Sequence, residues 1–278
     1  MTYFDAPDGT RLFYKDLGTG PAVLFVHAWS LNSAMWEYQI ASMMEAGYRC
    51  VALDRRGHGR SDVAPGGYHL DGLADDLAAL VDRLGLTRFS VVAQSLGVAE
   101  VVRLISRRPD LEVERLVFSG TVTPGAAAAA DSPVVTDTIA ELRADRPGWF
   151  RAGADAYFAL PDSAVSVAVV EDTLVNILQP PLEVQEACIK TLLAVDAAGE
   201  LARLTQPVLL LHGDRDASCP LELTGRPTAA LLPDADLRVY PGAGHGLYVT
   251  HKERYNSDLL HFLGTTTGPR LIRAGADA

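Results

Sequence analysis

Cysteine is scarce in this chain. The 278 residues contain three, Cys50, Cys188 and Cys219, odd in number and far apart, which points away from a disulfide framework and towards a reducing, cytoplasmic setting. None falls in a CxxC or similar zinc-binding spacing. Positive charge is short as well: 24 Lys and Arg stand against 35 Asp and Glu, for a formal net charge of −11. Nucleic-acid binding rests on clustered Lys and Arg neutralising phosphates, and no such cluster occurs; the acidic balance reads as a solubility feature. Long apolar runs are missing too. No stretch approaches the roughly 18 uninterrupted apolar residues of a membrane span, and the opening residues lack the basic start and apolar run of a signal peptide. There is no HExxH, no Walker A sequence and no GxGxxG after a strand, so neither a metal nor a nucleotide cofactor is expected.

What is present is enough apolar material, 48% of residues, for one large α/β domain with a deep core. Thr2–Asp5 and Arg11–Asp16 read as strands joined by an Asp8-Gly9 turn. Ala22–His27, Tyr48–Leu53, Phe89–Ala93 and Leu116–Phe118 read as further strands. Helical periods over Asn32–Ala46, Leu70–Leu84 and Leu96–Arg107 alternate with them, the first two stopped by Gly47 and Gly85. Such alternation predicts an α/β fold, a mostly parallel sheet with helices on both faces.

From Thr121 to about Ala202 the alternation breaks. Ser163–Leu178 and Glu183–Val195 have helical periods, no strand of the earlier kind occurs, and the segment reads as a helical cap over one edge of the sheet. The Ala126–Ala130 run near its start reads as a flexible or weakly helical hinge. Val208–Leu211 and Leu237–Tyr240 resume the sheet, giving eight strands, with a helix near Leu221–Leu232 between them and a last one over Lys252–Phe262. The expected division is a core of residues 1–120 and 203–264, a cap of 121–202 and a loosely held tail of 265–278.

Three strand ends carry chemistry. Val91-Val92-Ala93-Gln94-Ser95-Leu96-Gly97 runs from a buried strand through a Ser into a helix, the setting a nucleophile elbow needs. Small residues must flank so tight a turn, and Ala93 and Gly97 are small. The bland reading, a Ser that merely caps the helix, loses ground once two other strand ends are considered. His212-Gly213-Asp214-Arg215-Asp216 puts two acids in a Gly turn after a buried strand, and Gly242-Ala243-Gly244-His245-Gly246 puts a His in a Gly-rich loop after the last strand. Strand C-termini of an open parallel sheet face one crevice, so Ser95, Asp216 and His245 can meet there. Asp214 is the second candidate for the acid.

With these residues in view, the sequence resembles the α/β-hydrolase superfamily, and more narrowly its cofactor-free haloperoxidase and arylesterase-like serine hydrolases. The resemblance extends to about Gly264. It is carried by Phe25-Val26-His27-Ala28-Trp29-Ser30, by Asp54-Arg55-Arg56-Gly57-His58-Gly59-Arg60-Ser61, by the elbow, by the His212–Pro220 loop and by Gly244-His245-Gly246-Leu247. It implies Ser95 as nucleophile, His245 as base, the later acid Asp216 as its partner, and the backbone N–H groups of Trp29 and Leu96 as the oxyanion hole. It also implies ester or lactone hydrolysis through an acyl-enzyme, with a perhydrolase side reaction and no cofactor. The expected partner is a small apolar molecule, with neither nucleic acid nor membrane; self-association stays open.

Two positions depart from the family pattern. Ala28 stands where His-Gly is usual, and Ala93 where the elbow usually has Gly. If position 28 needs positive φ, a methyl there costs about 1 kcal/mol or more, which keeps a non-hydrolytic cyclase, lyase or ligand receptor as the alternative. Asp54, His58 and Arg60 read as loop anchors, His27 as support for the oxyanion loop, and Cys219 as a small buried thiol. Trp149, Phe150, Tyr157 and Phe158 read as mostly cap core, with Ala28, Trp149 and Tyr157 the candidates to touch substrate.

Overall fold

The computed structural model describes residues 2–125, 128–129 and 131–264; the expected tail and most of the expected hinge lie outside them. The chain runs β1 (Thr2–Asp5), β2 (Arg11–Leu17), β3 (Ala22–Val26), a 3-10 turn over Ser33–Trp36 into α1 (Glu37–Glu45), β4 (Arg49–Leu53), α2 (Leu70–Leu84), β5 (Arg88–Gln94), α3 (Leu96–Arg107) and β6 (Glu112–Ser119). Four helices follow, α4 (Pro133–Phe158), α5 (Val167–Ile177), α6 (Leu182–Leu193) and α7 (Ala198–Leu201). The chain then adds β7 (Val208–Gly213), α8 (Gly225–Leu231), β8 (Ala235–Tyr240), α9 (Leu247–Thr250) and α10 (Lys252–Gly264).

The eight strands form one sheet in the order β1-β2-β4-β3-β5-β6-β7-β8. The pairs β1·β2 and β2·β4 are antiparallel and the rest parallel. Side chains alternate across a strand, and the core divides accordingly. Leu24, Val51, Val91, Leu116 and Leu210 point to one face, with Leu77 and Val81 of α2 and Val98 and Val102 of α3. Val23, Phe25, Val92, Val117 and Leu209 point to the other, with Ile40 of α1, Tyr255 and Leu259 of α10, and Phe150 and Phe158 of α4. Strand ends are matched: Val26 pairs with Leu53 and Ala93, Ala93 with Phe118, Ser119 with Leu211, and Gly213 with Tyr240. The loops after β3, β4, β5, β6, β7 and β8 therefore leave one edge of the sheet together.

Of the four helices between β6 and β7, α4 and the short α7 were not given bounds by the sequence pattern. In α4, Pro147 cannot donate to the helix ladder, and Asp145 breaks out to φ −157°, ψ 80°. Its Oδ1 then accepts the Gly148 N–H at 2.9 Å, as an N-cap would, and the helix restarts. Five strands extend beyond their expected bounds: β2 by one residue, β5, β7 and β8 by two each, and β6 by five. The extra residues at the start of β6 include Glu112, Glu114 and Arg115, which hide the strand when only a continuous apolar run is sought. Among the described residues no helix is long and apolar enough to cross a membrane, and all three cysteines are buried and unpaired.

Candidate active site

The turn from β5 into α3 occupies a single residue. Ser95 sits at φ 56°, ψ −122°, a region that residues with a Cβ rarely enter and that is costly unless its surroundings hold it. Its N–H donates to Ser119 O at 3.0 Å, and its carbonyl accepts the Val98 N–H at 3.0 Å. Gly97 is required by space: a Cβ there would stand 2.8 Å from Val26 O and 2.9 Å from His27 O. The methyl of Ala93, by contrast, is fully buried in the sheet core.

Asp216 and His245 meet beside this turn. His245 Nδ1 lies 2.7 Å from Asp216 Oδ2, with both residues buried. The second carboxylate oxygen, Oδ1, accepts the Cys219 N–H at 2.8 Å. His212 Nε2 donates to Cys219 O at 2.7 Å and approaches Asp216 Oδ2 to 3.6 Å. Burial drives the Asp216 carboxyl up, but His245, the Cys219 N–H and His212 outweigh it and hold the group below the ordinary carboxylate range. Asp214 is elsewhere. It is exposed, and its Oδ1 accepts the Gly242 N–H at 2.7 Å, bracing the turn that leads to the His loop.

The loop after β3 supplies Ala28 and Trp29. Ala28 does not have positive φ; the left-handed residue is Ser30, at φ 62°. The Gly-only conformation considered for position 28 is thus not used there, and Ala28 presents a buried methyl to the cavity. Neither the Trp29 N–H nor the Leu96 N–H has an acceptor among the described residues. Leu96 is the first residue of α3, where a helix leaves its N–H groups unpaired and favours negative charge.

Ser95, His245, Ala28 and Trp29 border one cavity of about 420 Å³, within the usual range for small-molecule sites. None of its lining residues carries a formal charge. Trp149 and Tyr157 line it as candidates to touch substrate, and Phe150 and Phe158, read as cap core, line it too, because the second half of α4 lies across the cavity rather than behind it. The indole of Trp29 is fixed by a 3.2 Å bond to Gln185 O and by edge and tilted contacts with Trp149 and Phe150. Tyr157 meets the His245 ring edge-on at 5.5 Å, and its hydroxyl donates to Tyr248 at 3.4 Å. Cys219 is buried as expected, yet it also borders the cavity. Burial pushes its thiol well above the usual range, as the Asp216 charge does further, so the thiolate form is disfavoured.

Residues 21–174 match the family model described as alpha/beta hydrolase fold, and residues 186–275 the model described as TAP-like protein. The chain belongs to the α/β-hydrolase family. It is 32% identical over 266 residues to a non-heme chloroperoxidase of Kitasatospora aureofaciens, covering 92% of this chain and 97% of that one. It is 33% identical over 274 residues to a bifunctional esterase/perhydrolase of Acinetobacter calcoaceticus, covering 95% and 99%. Among solved structures, the bromoperoxidase of Bacillus anthracis superposes with a TM-score of 0.88 at 30% identity, covering 95% of this chain and all of that one.

Two residues at the site escaped the sequence reading. Gln94 Nε2 donates to His245 O at 2.8 Å and so ties the His loop to the elbow. An amide inside a buried strand, which must find a partner, was the available signal. Gly120, at φ 47° just past β6, is the floor beneath the acid and base: a Cβ there would lie 3.0 Å from the His245 ring and 3.3 Å from Asp216 Oδ2. Nothing local in the sequence marks it. The loop anchors behave as expected. Asp54 accepts the Ser33 and Arg60 N–H groups at 2.7 and 2.9 Å, and His58 Nδ1–H donates to Arg56 O at 2.9 Å. Arg60 is exposed and stacks over Phe13. Among the described residues no group of three His, Cys, Asp or Glu is arranged to hold a metal.

Proposed function

We propose that this protein is a serine hydrolase that cleaves carboxylic esters or lactones of small apolar molecules through an acyl-enzyme on Ser95. The observation that carries the reading is the convergence of Ser95 and the Asp216–His245 pair on one uncharged cavity, with His245 Nδ1 held 2.7 Å from a buried carboxylate. With Nδ1–H given to Asp216, Nε2 is the free base. It takes the Ser95 proton as Oγ attacks the acyl carbon, and Asp216 stabilises the imidazolium that results. The negative charge forming on the carbonyl oxygen falls to the Trp29 and Leu96 N–H groups. Collapse breaks the bond to the alcohol oxygen, which leaves with the proton from His245. Water, deprotonated by the same nitrogen, then releases the acid and restores Ser95.

Hydrogen peroxide can take the place of water in that last step, giving a peracid instead of an acid. The similarity to an esterase/perhydrolase and to non-heme haloperoxidases favours this as a side reaction. The uncharged wall favours uncharged acyl groups, since burying an unpaired charge is costly.

The test is labelling with a fluorophosphonate probe, followed by a panel of p-nitrophenyl esters and lactones. Labelling should map to Ser95, and Ser95→Ala should remove both labelling and turnover with little change in Tm. A wild-type protein that neither labels nor turns over any ester points to the non-hydrolytic reading, a pocket used for binding alone.

A further inference from the structure

Beneath the oxyanion loop lies a buried ion pair that the proposed mechanism does not use. Arg55, in the loop after β4, and Glu100, on α3, are each 2% exposed, and Arg55 Nε donates to Glu100 Oε1 at 2.6 Å. The rest of the guanidinium faces the end of β3. Nη2 donates to His27 O at 2.7 Å, and Nη1 to Ala28 O at 3.2 Å. The Arg55 backbone N–H donates to His27 Nε2 at 2.9 Å, which leaves the proton of a neutral imidazole on Nδ1, and that Nδ1–H donates to Ala28 O at 2.8 Å. Burial, with Arg55 and His58 nearby, keeps His27 well below its ordinary pKa and hence neutral.

The carbonyl that receives both donors belongs to the same peptide unit as the Trp29 N–H. A trans peptide is planar, with its C=O and N–H pointing in opposite directions. Holding the Ala28 carbonyl down on Arg55 and His27 therefore aims the Trp29 N–H away from them, towards the cavity bordered by Ala28, Trp29 and Ser95. The other end of Arg55 grips α3, whose first N–H is that of Leu96, and Gly97 of the same helix packs on the carbonyls of Val26 and His27. One guanidinium thus joins the two elements that bear the two donors.

Resting on the ester-hydrolase reading, we infer that Arg55 is a positioning residue: through the Ala28 and His27 carbonyls and through Glu100, it sets the direction and spacing of the Trp29 and Leu96 N–H groups. A purely structural ion pair would make a different prediction. Replacing a buried pair by apolar residues of similar size is often neutral for stability, whereas removing one partner strands a charge.

The experiment compares wild type, Arg55→Lys and the double variant Arg55→Met/Glu100→Leu. Lysine keeps a charge for Glu100 but cannot reach Glu100 and two carbonyls at once; the double variant strands no charge. Both should keep a cooperative unfolding transition. Both should lose about tenfold or more in kcat with KM nearly unchanged, short of the 10²–10³ seen when an oxyanion donor is removed outright. Affinity for a boronic acid that forms a tetrahedral adduct on Ser95 should fall in parallel, while affinity for the product carboxylate holds. A folded variant of either kind with wild-type kcat and boronate affinity overturns the inference, as does equal weakening of boronate and carboxylate. A wild type without ester turnover overturns the ester-hydrolase reading itself, and the inference with it.

Discussion

Asp216 Oδ2 faces His245 Nδ1 at 2.7 Å, whereas Asp214, two residues earlier on the same turn, spends its carboxylate on the Gly242 N–H. The two acids differ in what they can do for the imidazole. Asp216→Asn should lower kcat by orders of magnitude, about 10⁴ where the wrong tautomer is imposed. Asp214→Asn should cost far less, since an amide oxygen can still accept from Gly242. Steady-state kinetics on one p-nitrophenyl ester ranks them, and the reverse order would move the acid to Asp214.

The pair of buried histidines behind the site makes stability sensitive to mild acid. Burial, then the charge of Arg55, pushes His58 down to about 3 against an ordinary 6.5, with its bond to Arg56 O opposing; His27 moves the same way. Between those two values the unfolded chain binds a proton that the folded chain refuses. Stability is therefore full above about pH 6.5 and falls as pH drops towards 3, by about 1.4 kcal/mol per pH unit for each such group. Urea unfolding of wild type and His58→Asn at pH 7.5 and 5 measures this. The variant should lose less stability over that interval, and parallel losses in the two proteins would refute the assignment.

Gly120 sets how closely the acid and base can sit on the sheet. At φ 47°, with an added Cβ only 3.0 Å from the His245 ring, Gly120→Ala must strain the backbone or displace the imidazole. We expect kcat to fall by about tenfold or more, at a cost in stability of about 1 kcal/mol from the left-handed backbone. A variant with unchanged kcat would mean that the ring has room to yield.

Gly120 also illustrates what sequence could not reveal. The elbow was legible because strand, Ser, small residue and helix are adjacent in the chain, and the sheet because continuous apolar strands alternate with amphipathic helices. Asp216 and His245 were legible as loop residues after strands whose ends the topology aligns. The roles of Gly120, Gln94 and Arg55 depend on contacts with segments far away in sequence, His245 for the first two and the end of β3 for the third. No local period encodes such contacts. In α4 the difficulty was local instead: Pro147 and the break at Asp145 interrupt the helical period, so a 26-residue element read only as generally helical.

Ala28 lies next to the proposed oxyanion hole, and its conformation decides how the methyl acts. Position 28 is not left-handed, and its carbonyl is held by both His27 and Arg55, so the Trp29 N–H keeps its direction with a methyl present. The methyl is instead part of the cavity wall, close to where an acyl group attached to Ser95 must lie. Ala28→Gly should therefore leave the best-case kcat nearly unchanged and shift preference towards bulkier acyl groups. A methylene-sized change in an apolar pocket is worth roughly 1–3 kcal/mol of discrimination. Comparing kcat/KM across acetyl, butyryl, hexanoyl and benzoyl p-nitrophenyl esters reads that shift directly. Were the methyl spoiling the oxyanion hole, glycine would raise kcat for every ester alike, and a general gain of about tenfold, equivalent to about 1.4 kcal/mol in the barrier, would show that Ala28 weakens catalysis rather than shaping specificity.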